Sequence, residues 1–379
     1  MSFYNTIEAY KTFDFDGFFR GVTRQKIESI LAKDKLSDLD FLALLSNAAQ
    51  IFLEPMAQKA YGITRMYFGK AIVLFTPLYI SNLCENVCAY CSFARQHTIA
   101  RKHLTFDEIR EESRRIAESG IRHILVLTGE SRGAAHMGYL TESVRIIRQE
   151  FSSVGIEIYP LTEEEYRGLI DQGVDGLTIY QEIYDESAYR RLHCGGPKED
   201  YHFRLEAPDR AARQGVRGIT VGALMGLGDA RREAFFTGLH ARYLRKTFPG
   251  VEISVSFPRI RPLAGDFVPP FPVSDAQFVQ TLKAARIFLR NAGITLSTRE
   301  SSHFRDSVLP LGVTKMSAGV STAVGAHSSG PSTAQFEIAD KRTVGDVKTD
   351  LLTMGFQPVM QDWNSHHVTS IHLPFLLTN

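Results

Sequence analysis

Tryptophan occurs once in the 379 residues, cysteine four times, and neither sign of charge dominates, with 43 basic side chains set against 42 acidic ones. Four cysteines, three of them within eight positions, are too few and too lopsided for a disulfide framework, so metal or redox chemistry is their better use. A formal net charge of +1 gives no general electrostatic attraction to nucleic acid or to an anionic membrane, and a small molecule is the expected substrate. No apolar run approaches membrane-spanning length. The opening Met1-Ser2-Phe3-Tyr4-Asn5 lacks the charged and apolar stretches of a secretory signal. A cytoplasmic location is the expectation.

What the chain does have is apolar material, 44% of its residues, enough for a large core. From residue 70 short β-branched runs alternate with longer amphipathic segments, the pattern of strand and helix repeats around a parallel sheet. Eight strands are expected: Ala71 to Ile80, Ile121 to Thr128, Gly155 to Tyr159, Gly176 to Gln181, Gly218 to Leu224, Val251 to Phe257, Ile294 to Thr298 and Gly312 to Ser317. Between them Thr105 precedes Glu108, Thr162 precedes Glu165 and Ser274 precedes Gln277, spacings at which side chains cap a helix start. These units predict an α/β fold, a (β/α)8 TIM-type barrel over residues 70–318.

Residues 1–69 read as an N-terminal helical extension, with apolar residues at helical spacing in Arg24 to Ala32 and Asp38 to Tyr61. Residues 319–379 read as a C-terminal extension made of a loop and a barrel-attached segment. Within it, Gly319 to Thr333 is rich in Ser, Gly and Ala and is expected to be a mobile surface loop rather than a substrate lid. A helix near Val344 to Met354 and a final segment around Trp363 follow.

Cys84-Glu85-Asn86-Val87-Cys88-Ala89-Tyr90-Cys91 has the spacing C-x3-C-x2-C directly after the first strand. Three thiolates in one tight loop can take three irons of a cubane cluster and leave the fourth open to another ligand. A structural zinc site wants a fourth protein ligand, and the remaining cysteine, Cys194, is far away in the chain. Cys194 is expected to be an ordinary, partly buried thiol.

This spacing, with Tyr90 before the last cysteine, resembles the signature of the radical S-adenosylmethionine (SAM) superfamily. The resemblance implies that Cys84, Cys88 and Cys91 hold a 4Fe–4S cluster whose free iron is chelated by SAM, and that Tyr90 contacts the adenine. Barrel enzymes gather their active sites at the C-terminal strand ends, and the likeness continues there. Gly129-Glu130 resembles a Gly-Gly-Glu element that meets the SAM ammonium, with Thr128 in place of the first glycine. Glu182 would hold the ribose or amino group of SAM, and Arg204 its carboxylate, which a planar guanidinium can grip with two hydrogen bonds.

Val221 to Asp229 resembles the family's G-x-I-x-G-x-x-E element, with Met225 and Gly226 beside the adenine and Asp229 in the acid position. At the seventh strand end, Ser297, Thr298 and Arg299 suit an α-amino acid, Arg299 binding its carboxylate and a hydroxyl or acid its ammonium. No catalytic residue is expected beyond the cluster and SAM. Each of these residues also has a plainer reading: Tyr90 as packing, Glu130 as a helix N-terminal charge, Glu182 and Arg204 as a surface ion pair, the glycines as a turn, Arg299 as a rim salt bridge.

Longer stretches narrow the resemblance to the tyrosine lyases of thiamine biosynthesis, the 2-iminoacetate synthases. They include Pro77 to Cys84, Leu127 to Glu130, Ile179 to Glu182, Pro208 to Arg210, Ser254 to Arg259 and Leu296 to Ser301, with Gln357 to Val359 and Asp362-Trp363 near the end. The resemblance implies cleavage of the Cα–Cβ bond of L-tyrosine to 2-iminoacetate and 4-methylphenol, SAM being split to methionine and 5′-deoxyadenosine. It also implies a thiazole synthase partner and an unidentified electron donor. The related enzyme of hydrogenase maturation carries a second cluster motif, whereas no cysteine follows Cys194 here. A tryptophan-cleaving lyase and a non-catalytic iron–sulfur or zinc scaffold are the remaining alternatives.

Overall fold

The structure, a computed structural model, describes residues 2–261, 267–328 and 332–361. Asp362 and Trp363 lie outside the described residues. Nine strands form: β1 Ala71–Ser81, β2 His123–Thr128, β3 Ser153–Glu157, β4 Val174–Glu182, β5 Gly218–Ala223, β6 Glu252–Ser256, β7 Gly293–Leu296, β8 Lys315–Ser317 and β9 Gln357–Val359. The first eight run in sequence order, all parallel, and close through pairing of β1 with both β2 and β8. Closure leaves no free edge, and the expected (β/α)8 TIM-type barrel is what the chain forms.

β9 joins at the foot of β1, Ala71 pairing with Gln357 and Val73 with Val359, below Thr76 where the β2 register begins. β8 starts later than expected because Leu309–Leu311 makes a 3-10 turn and Gly312 takes a φ of 134°, a conformation that glycine alone adopts without strain.

The capping boxes at Thr105, Thr162 and Ser274 all form, each with both hydrogen bonds present. The helical reading of Asp38 to Tyr61 holds with a break: Asp38–Leu44 and Leu53–Phe68 are α-helices on either side of the 3-10 turn Asn47–Phe52. The break has a tertiary cause. Gln280 Nε2 donates to the carbonyls of Leu44 and Ser46, both at 2.8 Å, taking acceptors that a continuing helix would use itself. Phe41 then stacks on Phe288 with centroids 4.3 Å apart, fastening the N-terminal helices to the barrel's outer layer. Among the described residues no helix is long and apolar enough to cross a membrane.

The segment after β8 corrects the expectation of a free surface loop. Thr322, Ala323 and Val324 are buried, Gln335 N donates to Thr322 O at 3.0 Å, and the amides of His327 and Ser328 donate to the buried carboxylate of Glu112 at 3.1 and 2.6 Å. Its polar composition is satisfied by hydrogen bonds instead of apolar contact, which the composition argument does not count. Arg305, fully buried, anchors the segment's far end through Asp340 and the carbonyl of Ser317.

Candidate functional site

β1 ends at the barrel mouth and the chain turns at once into the cysteine loop, whose backbone is tied down on two sides. Gly129 N donates to Ser81 O at 2.9 Å and Glu85 N to Glu130 O at 2.7 Å, while Val87 N and Ala89 N donate to the carbonyls of Gly195 and Leu192 at 2.7 and 3.0 Å. The Asn86 side chain links both sides, donating to Glu130 Oε2 at 2.7 Å and accepting from Lys198 N at 2.8 Å. Arg101 closes the loop's base through the carbonyls of Asn82, Phe93 and Ala94. A Cβ on Gly129 would lie 2.3 Å from Leu83 O, so the loop passes where only hydrogen fits. Gly129→Ala is therefore expected to lose about 1–3 kcal/mol of stability and much of the iron taken up on reconstitution, checked by denaturant melts and iron analysis.

Cys88 is buried and Cys84 and Cys91 are partly so. Burial pushes the Cys88 thiol well above its usual range and the Cys91 thiol up as well, so thiolates there need a metal in place of the proton. Gln335 Nε2 faces Cys91 Sγ at 3.9 Å, and Tyr79 Oη donates to Gln335 Oε1 at 2.8 Å. Among the described residues no three His, Cys, Asp or Glu side chains converge as ligands of one ion do. Cubane ligands bind separate corner irons, and three thiols on one tied-down loop suit that division. Cys194, expected to be partly buried, is exposed: Gly195 and Gly196 pack against Val87 and Asn86 and leave the thiol outside.

Glu182 ends β4 with a φ of 70°, in the left-handed region that side chains other than glycine rarely adopt. The strand's register with β5 shifts there. Such strain persists only where the surroundings impose it, and here it aims the carboxylate at Lys198 Nζ, 2.8 Å away, and at Arg204, 3.3 Å away. Burial alone would raise the Glu182 pKa, but the two cations outweigh it and hold the carboxyl below its usual value. Arg204 also donates to Tyr180 O at 2.7 Å, so it is a buried positioning contact rather than half of a surface pair.

Tyr90 meets His193 Nε2 at 2.6 Å, and His193 Nδ1 faces Tyr189 O at 2.8 Å. Burial pushes the imidazole pKa down to about 3, so the ring is neutral. Nδ1–H then donates to the carbonyl and Nε2 accepts from the phenol.

Lys198→Met would leave Glu182 with one cation. The loss expected at neutral pH is about 3 kcal/mol. Because the folded pKa of Glu182 lies below its unfolded value, that stabilisation is present above the unfolded pKa and fades as pH falls through the folded one. Denaturant melts should show the gap between wild type and variant closing on acidification below about pH 4.5.

A cavity at this mouth is lined by Tyr90, Cys91, Glu182, Ser297, Thr298 and Arg299, among others. Arg299 lies over the Phe336 ring, 3.4 Å from its centroid, and reaches a carbonyl, Arg259 O, at 3.5 Å. It has no carboxylate partner among the described residues; the rim salt bridge belongs instead to Glu300, which pairs with Arg259 and Arg261. Glu130 is held by Asn86, and Met225 bonds Pro258 O at 2.7 Å. Gly226, at φ 119°, accepts from Phe271 N at 3.1 Å. Gly129, Glu130, Arg204, Met225 and Gly226 do not themselves line this cavity.

Sequence reasoning missed His193, Lys198, Gln335 and Glu157, all at or beside this cavity. The first three lie in irregular segments that periodicity does not read. Burial and the nearby Glu182 push the Glu157 carboxyl up to about 8.

Two family models match the chain: Radical SAM superfamily over residues 78–235 and Biotin and Thiamin Synthesis associated domain over residues 256–357. The chain is 40% identical over 348 residues to the 2-iminoacetate synthase of Escherichia coli K12, covering 91% of this chain and 92% of that protein. It is 40% identical over 347 residues to the 2-iminoacetate synthase of Salmonella typhimurium LT2, covering 91% of this chain and 92% of that one. The crystal structure of HydG, a maturase of the FeFe-hydrogenase, superposes with a TM-score of 0.86 at 30% identity, over 92% of this chain and 78% of HydG.

Proposed function

The chain belongs to the 2-iminoacetate synthase family of the radical SAM superfamily, and we propose from that premise how its barrel mouth cleaves the Cα–Cβ bond of L-tyrosine. The products are 2-iminoacetate and 4-methylphenol, with methionine and 5′-deoxyadenosine formed from SAM. A 4Fe–4S cluster with SAM, when bound, supplies one-electron reduction and a radical able to remove a hydrogen atom from the substrate amino group. The observation that carries the substrate reading is Arg299, a guanidinium on the cavity wall with no carboxylate partner among the described residues.

Cys84, Cys88 and Cys91 hold the cluster. Glu182, aimed by its strained backbone and kept ionised by Lys198 and Arg204, would take the ribose or amino group of SAM, and Tyr90, its hydroxyl already satisfied by His193, would contact the adenine. Arg204 would hold the SAM carboxylate. Gly129 and Glu130 serve SAM through the main chain, and Met225 with Gly226 shapes the adenine side. Arg299 grips the substrate carboxylate bidentately while Ser297 and Thr298 receive the amino group. The packed segment around Thr322, Gln335 and Phe336 covers this volume and limits water, which would quench a radical. Phe336 also holds the guanidinium plane.

The 2-iminoacetate passes to a thiazole synthase, an electron donor not identified by the sequence supplies the electrons, and the chain works in the cytoplasm. Anaerobic reconstitution followed by assay with SAM, a reductant and either L-tyrosine or L-tryptophan tests the reading. 5′-Deoxyadenosine and 4-methylphenol are expected together from tyrosine. Deoxyadenosine without the phenol would keep the superfamily and discard tyrosine as substrate.

A further inference from the structure

We infer that Glu157 recognises the phenol hydroxyl of the substrate and so sets the preference for tyrosine over phenylalanine. The inference rests on the lyase reading above and extends it to the far end of the substrate. Glu157 closes β3, level with Leu127 of β2 and, through it, with Tyr79 of β1, and its side chain lines the same cavity as Arg299. In the ring of eight strands, β3 and β7 are four places apart, so the two residues stand on opposite walls. An amino acid whose carboxylate is held at the end of β7 must run its side chain across the mouth. The wall it runs along, Pro77, Leu125, Leu127 and Tyr180, suits an aromatic ring.

Glu157 is the carboxyl in this region that nothing satisfies. Glu182 has Lys198 and Arg204, Glu300 has two arginines, and Glu130 has Asn86. Glu157 has neither hydrogen bond nor ion pair among the described residues. Glu157 is partly exposed to the cavity it lines, so its hydrogen-bonding capacity is free for a ligand there. Burial keeps this carboxyl protonated at neutral pH, and a neutral acid has one donor and one acceptor, as a phenol does. A substrate ammonium would call for an ionised carboxylate instead.

The test uses reconstituted full-length wild type, Glu157→Gln and Glu157→Leu, each first checked for iron content and circular dichroism. KM is measured for L-tyrosine, and inhibition constants for L-phenylalanine, which lacks the hydroxyl, and 3-(4-hydroxyphenyl)propanoate, which lacks the amine. Glu157→Leu should weaken tyrosine and the propanoate by the same factor, about 10- to 100-fold, and leave phenylalanine unchanged. Glu157→Gln, which keeps a donor and an acceptor, should recover most of the loss. Equal weakening of tyrosine and phenylalanine with the propanoate unaffected would place Glu157 on the ammonium and overturn the inference. So would three unchanged constants in a folded, iron-loaded Leu variant. Wild type that forms no 4-methylphenol from tyrosine would instead bring down the lyase reading itself.

Discussion

Cys88→Ala is expected to take 5′-deoxyadenosine and 4-methylphenol formation below detection together. Cys88 is the most buried of the three loop thiols, at 4% exposure, and Gln96 Nε2 approaches its backbone carbonyl at 3.4 Å. The two cysteines that remain cannot hold three corners of a cubane, and the nearest other thiol, Cys194, points to solvent. The fold should survive: removing a buried, protonated thiol leaves a small cavity worth about 1–2 kcal/mol. Far-ultraviolet circular dichroism should therefore match wild type, while iron analysis after anaerobic reconstitution shows the loss. Retained cleavage of SAM in the variant would contradict the assignment of the loop.

Arg299→Ala has the second largest expected effect, and it should separate substrate from cofactor. Two charge-assisted hydrogen bonds to a carboxylate contribute about 1.5–3 kcal/mol each, so KM for L-tyrosine should rise by roughly 10²–10⁴. SAM binding should be unchanged, because Glu182 and Arg204 stand on β4 and beyond, paired with each other and with Lys198. Slow formation of deoxyadenosine without 4-methylphenol is the expected signature. Arg299→Lys should recover only part of the affinity, since an ammonium is a point charge without the planar fork. An unchanged KM in the alanine variant would reject the carboxylate role and with it the main support for an amino-acid substrate.

Seven of the barrel strands were legible because each carries β-branched residues bounded by turn residues, β8 only in outline because Lys315–Ser317 carries none, and the three capping boxes marked helices that form where their spacing puts them. The cysteine loop was legible because its spacing has few other uses. Glu157 was not, for a physical reason. In a barrel wrapped by helices both faces of a strand are buried, so Ile156-Glu157-Ile158 looks the same whether the glutamate faces the mouth or the outer layer. Only the register with Leu127 decides that.

The same limit hid Gln280, whose amide breaks an N-terminal helix more than two hundred residues away in sequence. It also hid Lys198, which reaches Glu182 from an irregular turn. The loop after β8 misled for the opposite reason. Low apolar content argued for freedom, yet hydrogen bonds to Glu112 and between Thr322 and Gln335 pack it down.

The central claim is that three cysteines hold a cluster with one iron open to SAM. It is tested most directly by electron paramagnetic resonance of the oxygen-free, reconstituted and dithionite-reduced chain before and after SAM is added, with metal analysis of the same sample. About four irons per chain and a spectrum that SAM reshapes are the predicted result. Zinc in place of iron, or an iron signal that SAM leaves unchanged, would contradict it.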